Sequence, residues 1–111
     1  MTRRSGLPAP LRPLPGDPLA APSVEAARAR LRDAGVDPLT WGNGPGDRYA
    51  PHEHDFTKLL ICTQGSITFE IGPDATPVEL HAGDGFELPP GTRHGALVGS
   101  DGCTCVEGHR R

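Results

Sequence analysis

The chain has 111 residues and a mass of 11.7 kDa, enough for one hydrophobic core and too little for two ordinary domains. A formal charge of −3 and a pI near 5.9 lack the basic surplus that nucleic acid or an anionic membrane demands, and no apolar run approaches the ~18 residues of a membrane span. Apolar residues make up 35% and aromatics 5%, while 15 Gly and 13 Pro favour short strands and tight turns over long helices.

Residues 1–22 hold six prolines, so this stretch can neither sustain a helix nor pair inside a sheet. A mobile tail or a loosely draped strap is expected. The segment after Arg3 and Arg4 is broken by proline and lacks the apolar run of a signal peptide, which makes a cytoplasmic location the expectation. From Ser23 the pattern changes: a serine N-cap, Glu25 in a first turn, and Val24, Ala27, Leu31 and Ala34 at helical spacing before Gly35 predict one short helix over 24–34. Residues 23–40 thus form a helix and linker.

Beyond Trp41 and the turn-rich Gly42-Asn43-Gly44-Pro45-Gly46, every segment is short, strand-like and punctuated by Gly or Pro. Strands are expected at 48–51, 53–63, 66–71, 77–81, 85–88, 93–98 and 103–107, an all-β sandwich or barrel over 41–111. Cys62, Cys103 and Cys105 are odd in number, and two of them lie too close together for a framework of staples; reduced thiols are expected.

Alternation along 53–63 and its leading edge puts His52, His54, Phe56, Lys58, Leu60 and Cys62 on one face. Two histidines two residues apart on a strand are separated by about 6.7 Å, so their imidazoles can converge on one ion. The opposite face carries Leu59 and Ile61, which need cover from the helix or from a second subunit; a homodimer is expected. His94 begins an apolar face with Ala96 and Val98 and should point into the same interior. In the last strand Cys103, Cys105, Glu107 and His109 share one parity. Glu107 or Cys105 could approach Lys58 from there, but buried Cys is usually inert and Glu usually a surface residue, and that inert reading is preferred. Trp41 and Tyr49 are placed to edge the interior or to serve as core.

Two spaced patterns run through this region. Gly46 is followed after five residues by His52, then His54, then Lys58 after three more and Gly65 after six; Gly83 is followed after five by Pro89, then Gly91, and after two by His94. Together they resemble the two signatures of the cupin superfamily, over about residues 41–109. The resemblance implies a double-stranded β-helix, or jelly-roll, barrel, with one short N-terminal helix added here. It implies metal ligands at His52, His54 and His94 for a divalent ion such as Fe, Mn, Ni or Zn. Val98 stands where the family often has Asn, and Lys58 where most metal-binding members have a Glu ligand.

A protonated Lys cannot coordinate, so the implied site is a three-histidine one with open positions, an arrangement known among thiol and diketone dioxygenases of this superfamily. Lys58 is then assigned a catalytic role, orienting a substrate charge or stabilising an oxyanion. The alternative is a metal-free barrel in which the histidines and Lys58 bind an anion. Two functions stay open at this stage: an enzyme of dioxygenase, lyase or isomerase type acting on a small anionic molecule, and a binding module without turnover.

Overall fold

The computed structural model describes residues 6–111, so the first five residues of the expected tail, Arg3 and Arg4 among them, lie outside it. One helix, α1 (Val24–Asp33), precedes six strands: β1 (Leu39–Asn43), β2 (Arg48–His52), β3 (Thr57–Ile71), β4 (Thr76–His81), β5 (Gly85–Leu88) and β6 (His94–Arg110). The helix starts and stops on signals visible in the sequence. Ser23 Oγ accepts the Ala26 N–H at 3.1 Å, Glu25 lies in the first turn, Arg30 and Arg32 in the last, and Gly35 turns the chain away at φ 86°.

All strand pairs are antiparallel, in the order β1-β6-β3-β4, with β2 also on β6 and β5 also on β3. The expected strands 53–63 and 66–71 fuse into the single β3, and 93–98 and 103–107 into the single β6, which pair from Thr57↔Arg110 to Ile71↔His94. The glycines read as turns between them are bends within paired strands: the register slips on either side of Gln64 and Gly65, and the pair wraps into a barrel there. Gly65 sits at φ 72°, and a Cβ on it would fall 2.0 Å from Gly102 O, so no other residue lets the two strands approach this closely. Leu39–Asn43, taken from the sequence as linker and turn, is a strand because β6 offers it a paired edge from Cys103 to Glu107.

Alternation along β3 divides the apolar residues between two cores. Leu60, Cys62, Ile67 and Phe69 join Phe86 and Cys105 inside the barrel, while Leu59 and Ile61 pack outside it with Val106 under Ala27, Leu31 and Val36. The helix therefore covers Leu59 and Ile61, and those side chains call for no second subunit. Cys62, Cys103 and Cys105 are free thiols and buried, as expected of reduced cysteines.

Of the two states expected for the proline-rich segment, residues 7–19 adopt the strap. Leu11 is buried in the inner core, Leu7 packs against it, and Leu14 and Leu19 pack against the outer core. Arg12 exchanges two backbone hydrogen bonds with Glu87, at 3.0 and 2.7 Å, and the Arg30 guanidinium on α1 donates to the carbonyls of Leu14, Pro15 and Gly16. Among the described residues no helix is long and apolar enough to cross a membrane.

Candidate metal and ligand site

Three elements deliver three imidazoles to one place. β2 ends on His52, the loop 53–56 carries His54, and β6 begins at His94, opposite His52 in register. The single strand expected to bear both His52 and His54 is not formed: the chain leaves the sheet after His52 and re-enters it at Thr57. The loop is held by the Gly91 N–H, which donates to His54 O at 2.8 Å, and by stacking of His54 on Phe56 at 4.6 Å. Ring centroids are 4.4 Å apart for His52 and His94, 4.8 Å for His52 and His54, and 5.2 Å for His54 and His94. One nitrogen from each ring lies within 4.8 Å of the others.

Backbone carbonyls select which nitrogen is free. His94 Nδ1 lies 2.8 Å from Thr92 O and His52 Nδ1 2.8 Å from Ala50 O; as donors to carbonyls these nitrogens carry the proton, leaving each Nε2 with its lone pair. His94 is 2% exposed, and its Nε2 is buried without a hydrogen-bond partner. Burial pushes its pKa down to about 4, with the Lys58 ammonium and the other two imidazoles acting in the same direction against the Thr92 carbonyl. His54 is likewise lowered, by burial first and then by Lys58 and His52. Neutral imidazoles are what a divalent ion requires, and a buried orphan nitrogen is what it satisfies, so the residues present fit such an ion.

Lys58 is 8% exposed and does not stand alone. Its Nζ lies 3.4 Å from Oε1 of Glu107, which is 9% exposed on β6. The same oxygen accepts from Trp41 Nε1 at 2.7 Å, and Oε2 lies 2.6 Å from His109 Nε2. Burial pushes the Glu107 carboxyl up, but Lys58, His109 and Trp41 together outweigh it and hold it below the usual range. The surface reading of Glu107 is thus overturned. Its parity with Cys105 was the available signal, and β6 turns that face inward; Cys105 itself is an inert core thiol, pushed well up by its hydrogen bond with Cys62 and by burial.

The three histidines, Lys58 and Glu107 share a cavity of about 380 Å³ whose remaining wall includes Leu39, Trp41, Tyr49, Phe69 and Ala96. Trp41 and Tyr49 meet edge to face at 5.9 Å and do edge the interior. Val98, at the position where the superfamily often has Asn, is simply buried in the inner core.

The fold is shared with solved structures of low sequence identity, between 17% and 22% for the three that follow. An RmlC-like cupin from Shewanella frigidimarina matches with a TM-score of 0.59 and 22% identity, covering 67% of this chain and 64% of its own. YcfD, a ribosomal oxygenase from Escherichia coli solved with cobalt and succinic acid, matches at 0.66 and 21%, covering 78% and 27%. Oxalate decarboxylase from Bacillus subtilis matches at 0.60 and 17%, covering 65% and 20%. The chain therefore spans just under two thirds of the first and about a quarter or less of the others. No curated protein sequence matches significantly. The profile of the AraC-like ligand-binding domain matches residues 34–105, which contain β1 to β5, most of β6 and all three histidines, and the chain belongs to that family of cupin barrels.

Proposed function

We propose that His52, His54 and His94 hold one divalent first-row metal ion and that the cavity around it binds a small, oxygen-bearing anionic molecule. The observation that carries this reading is the buried, partnerless Nε2 of His94, within 4.8 Å of a ring nitrogen from each of the other two histidines. Imidazole donors suit Fe, Ni or Zn, and the cobalt and succinic acid in the ribosomal oxygenase lend support by likeness of fold. Such an ion, when bound, supplies a Lewis acid for oxygen ligands.

The chain's own residues do the rest. Thr92 and Ala50 fix the tautomers of His94 and His52 through their carbonyls. Lys58, its charge balanced by Glu107, keeps N–H groups for a second oxygen of the ligand, and this is the catalytic or binding role we assign it. Balancing matters: a free ammonium would repel the ion, whereas a paired one donates hydrogen bonds at little electrostatic cost to it.

Membership of a ligand-binding family favours reversible capture. The Lys58–Glu107 pair, a buried group able to hold or pass a proton on the cavity wall, favours turnover of oxygenase, lyase or isomerase type. Metal analysis of protein purified without an affinity tag is the test, with stoichiometric first-row metal expected. Failure of the protein to retain Zn, Mn, Fe or Ni supplied at micromolar concentration would refute the reading.

A further inference from the structure

The cavity is two-faced, and its second face restricts what can occupy it. Its lining sets the ring nitrogens of His52, His54 and His94 beside the apolar side chains of Leu39, Trp41, Tyr49 and Phe69. The polar hydrogens of this apolar set are already engaged within the protein. Trp41 Nε1 donates to Glu107 at 2.7 Å, the Tyr49 hydroxyl donates to Asn43, and Glu107 accepts from Lys58, Trp41 and His109 at once. A ligand lying along this wall is therefore offered contact and almost no hydrogen bonds. Hydroxyls placed there would lose water and gain little, a penalty that selects against sugars.

Size points the same way. The cavity measures about 380 Å³. A water molecule in the liquid occupies about 30 Å³, so the space suits on the order of a dozen such units, more than a two- or three-carbon acid fills. Leu39 is 58% exposed, which leaves the apolar end open at its rim and lets a substituent enter from solvent.

The geometry points to an amphiphilic oxo acid as the occupant: a carboxylate with an adjacent oxygen at the histidine and Lys58 end, and an aromatic substituent along Trp41 and Tyr49. Only the head of this ligand rests on the metal reading. The tail rests on the wall, whose shape comes from β1, β2 and the Trp41–Glu107 hydrogen bond and needs no ion.

The test uses the full chain, loaded with Zn(II) and separately stripped with EDTA, titrated with phenylpyruvate, pyruvate and glucose. Binding is read by calorimetry and by fluorescence of the single tryptophan, Trp41. Phenylpyruvate is expected to bind at least tenfold more tightly than pyruvate, the scale for burying one aromatic ring, with no binding of glucose. Tyr49→Ala, a change at a partly exposed position that leaves the core intact, should weaken phenylpyruvate several-fold and leave pyruvate unchanged; Leu39→Ala provides a second, still more exposed variant. Equal affinity for the two acids, tighter binding of glucose, or no binding of any of the three at millimolar concentration would overturn the proposal. If phenylpyruvate keeps its full affinity and its preference over pyruvate in EDTA and in His52→Ala, the tail stands and the metal reading falls. If both acids need metal but bind alike, the metal reading stands and the tail falls.

Discussion

Replacing Glu107 by Gln isolates the most buried Lys–carboxylate pair among the described residues, because it removes a charge and little volume. At 3.4 Å and an effective dielectric of about 20, the Lys58–Glu107 attraction is about 5 kcal/mol. The variant need not lose all of it. Water admitted by the cavity screens the ammonium left without its partner, so about 3 kcal/mol of destabilisation is expected, the low end of what breaking a buried pair costs. For a chain of this size that is a fall in Tm of roughly 10–15 °C.

Urea denaturation with EDTA present, so that no metal contributes, measures the difference directly. The double variant Lys58→Met, Glu107→Gln should recover most of the loss, since it leaves no unpaired charge. A cost below about 1 kcal/mol, or losses that simply add in the double variant, would show that Lys58 and Glu107 are not the coupled pair inferred from their distance.

Ala in place of His52, His54 or His94 should each lower Zn(II) affinity by about 100-fold or more while leaving the far-ultraviolet circular dichroism unchanged; affinity unchanged from the parent protein in all three variants would refute the ligand set. Stability of the metal-free protein should fall as pH drops from about 6.5 to 4, by up to about 3 kcal/mol, because His94 stays neutral in the native state while the unfolded chain takes up a proton; His94→Asn should flatten that slope. Removing residues 1–20 should lower Tm by 10 °C or more, since it strips Leu11 from the core and frees the Arg30 guanidinium, and an unchanged Tm would show the strap to be dispensable. Lys58→Glu, which supplies the carboxylate common in the superfamily, places a second anion against Glu107; the metal-free variant should be destabilised, and the deficit should narrow when Zn(II) is added.

The sequence carried the barrel and the histidine trio because both depend on local devices. Glycines and prolines at fixed offsets set turns, and His52, His54 and His94 sit on short segments whose approach those turns enforce. Strand boundaries were less legible. Gly65 and the Gly99–Gly102 stretch have the composition of turns, yet they serve as bends in strands whose pairing is set by partners some 40 residues away. The strap was ambiguous for a related reason: proline forbids helix and sheet interior, but four leucines spread among the prolines suffice to hold the segment once a barrel exists to receive them. Glu107 was hidden because alternation assigns a side chain to one of two faces without saying which face is inside.

The position of Glu107 also explains how the site tolerates its departure from the superfamily pattern. A lysine at position 58 beside three neutral imidazoles would place a cation, without a compensating anion, against any divalent ion. Here the carboxylate has not disappeared but stands on the neighbouring strand, two residues along from the Lys58 partner His109 in the β3–β6 register. At the family position it would be a ligand; on β6 it is a counter-ion, shared with Trp41 and His109. A divalent ion held there would lose an anionic ligand and keep more of its charge for the occupant of the cavity, while Glu107 gives the buried Lys58 a counter-ion. A site arranged this way holds metal less tightly than one with a fourth carboxylate ligand and attracts an anionic oxygen donor more strongly. Metal and acid should accordingly bind with positive coupling: Zn(II) affinity measured in saturating phenylpyruvate should exceed that measured without it, by the same factor by which Zn(II) raises affinity for the acid. Independent binding of the two would mean that the charge left on the ion is not what recruits the ligand.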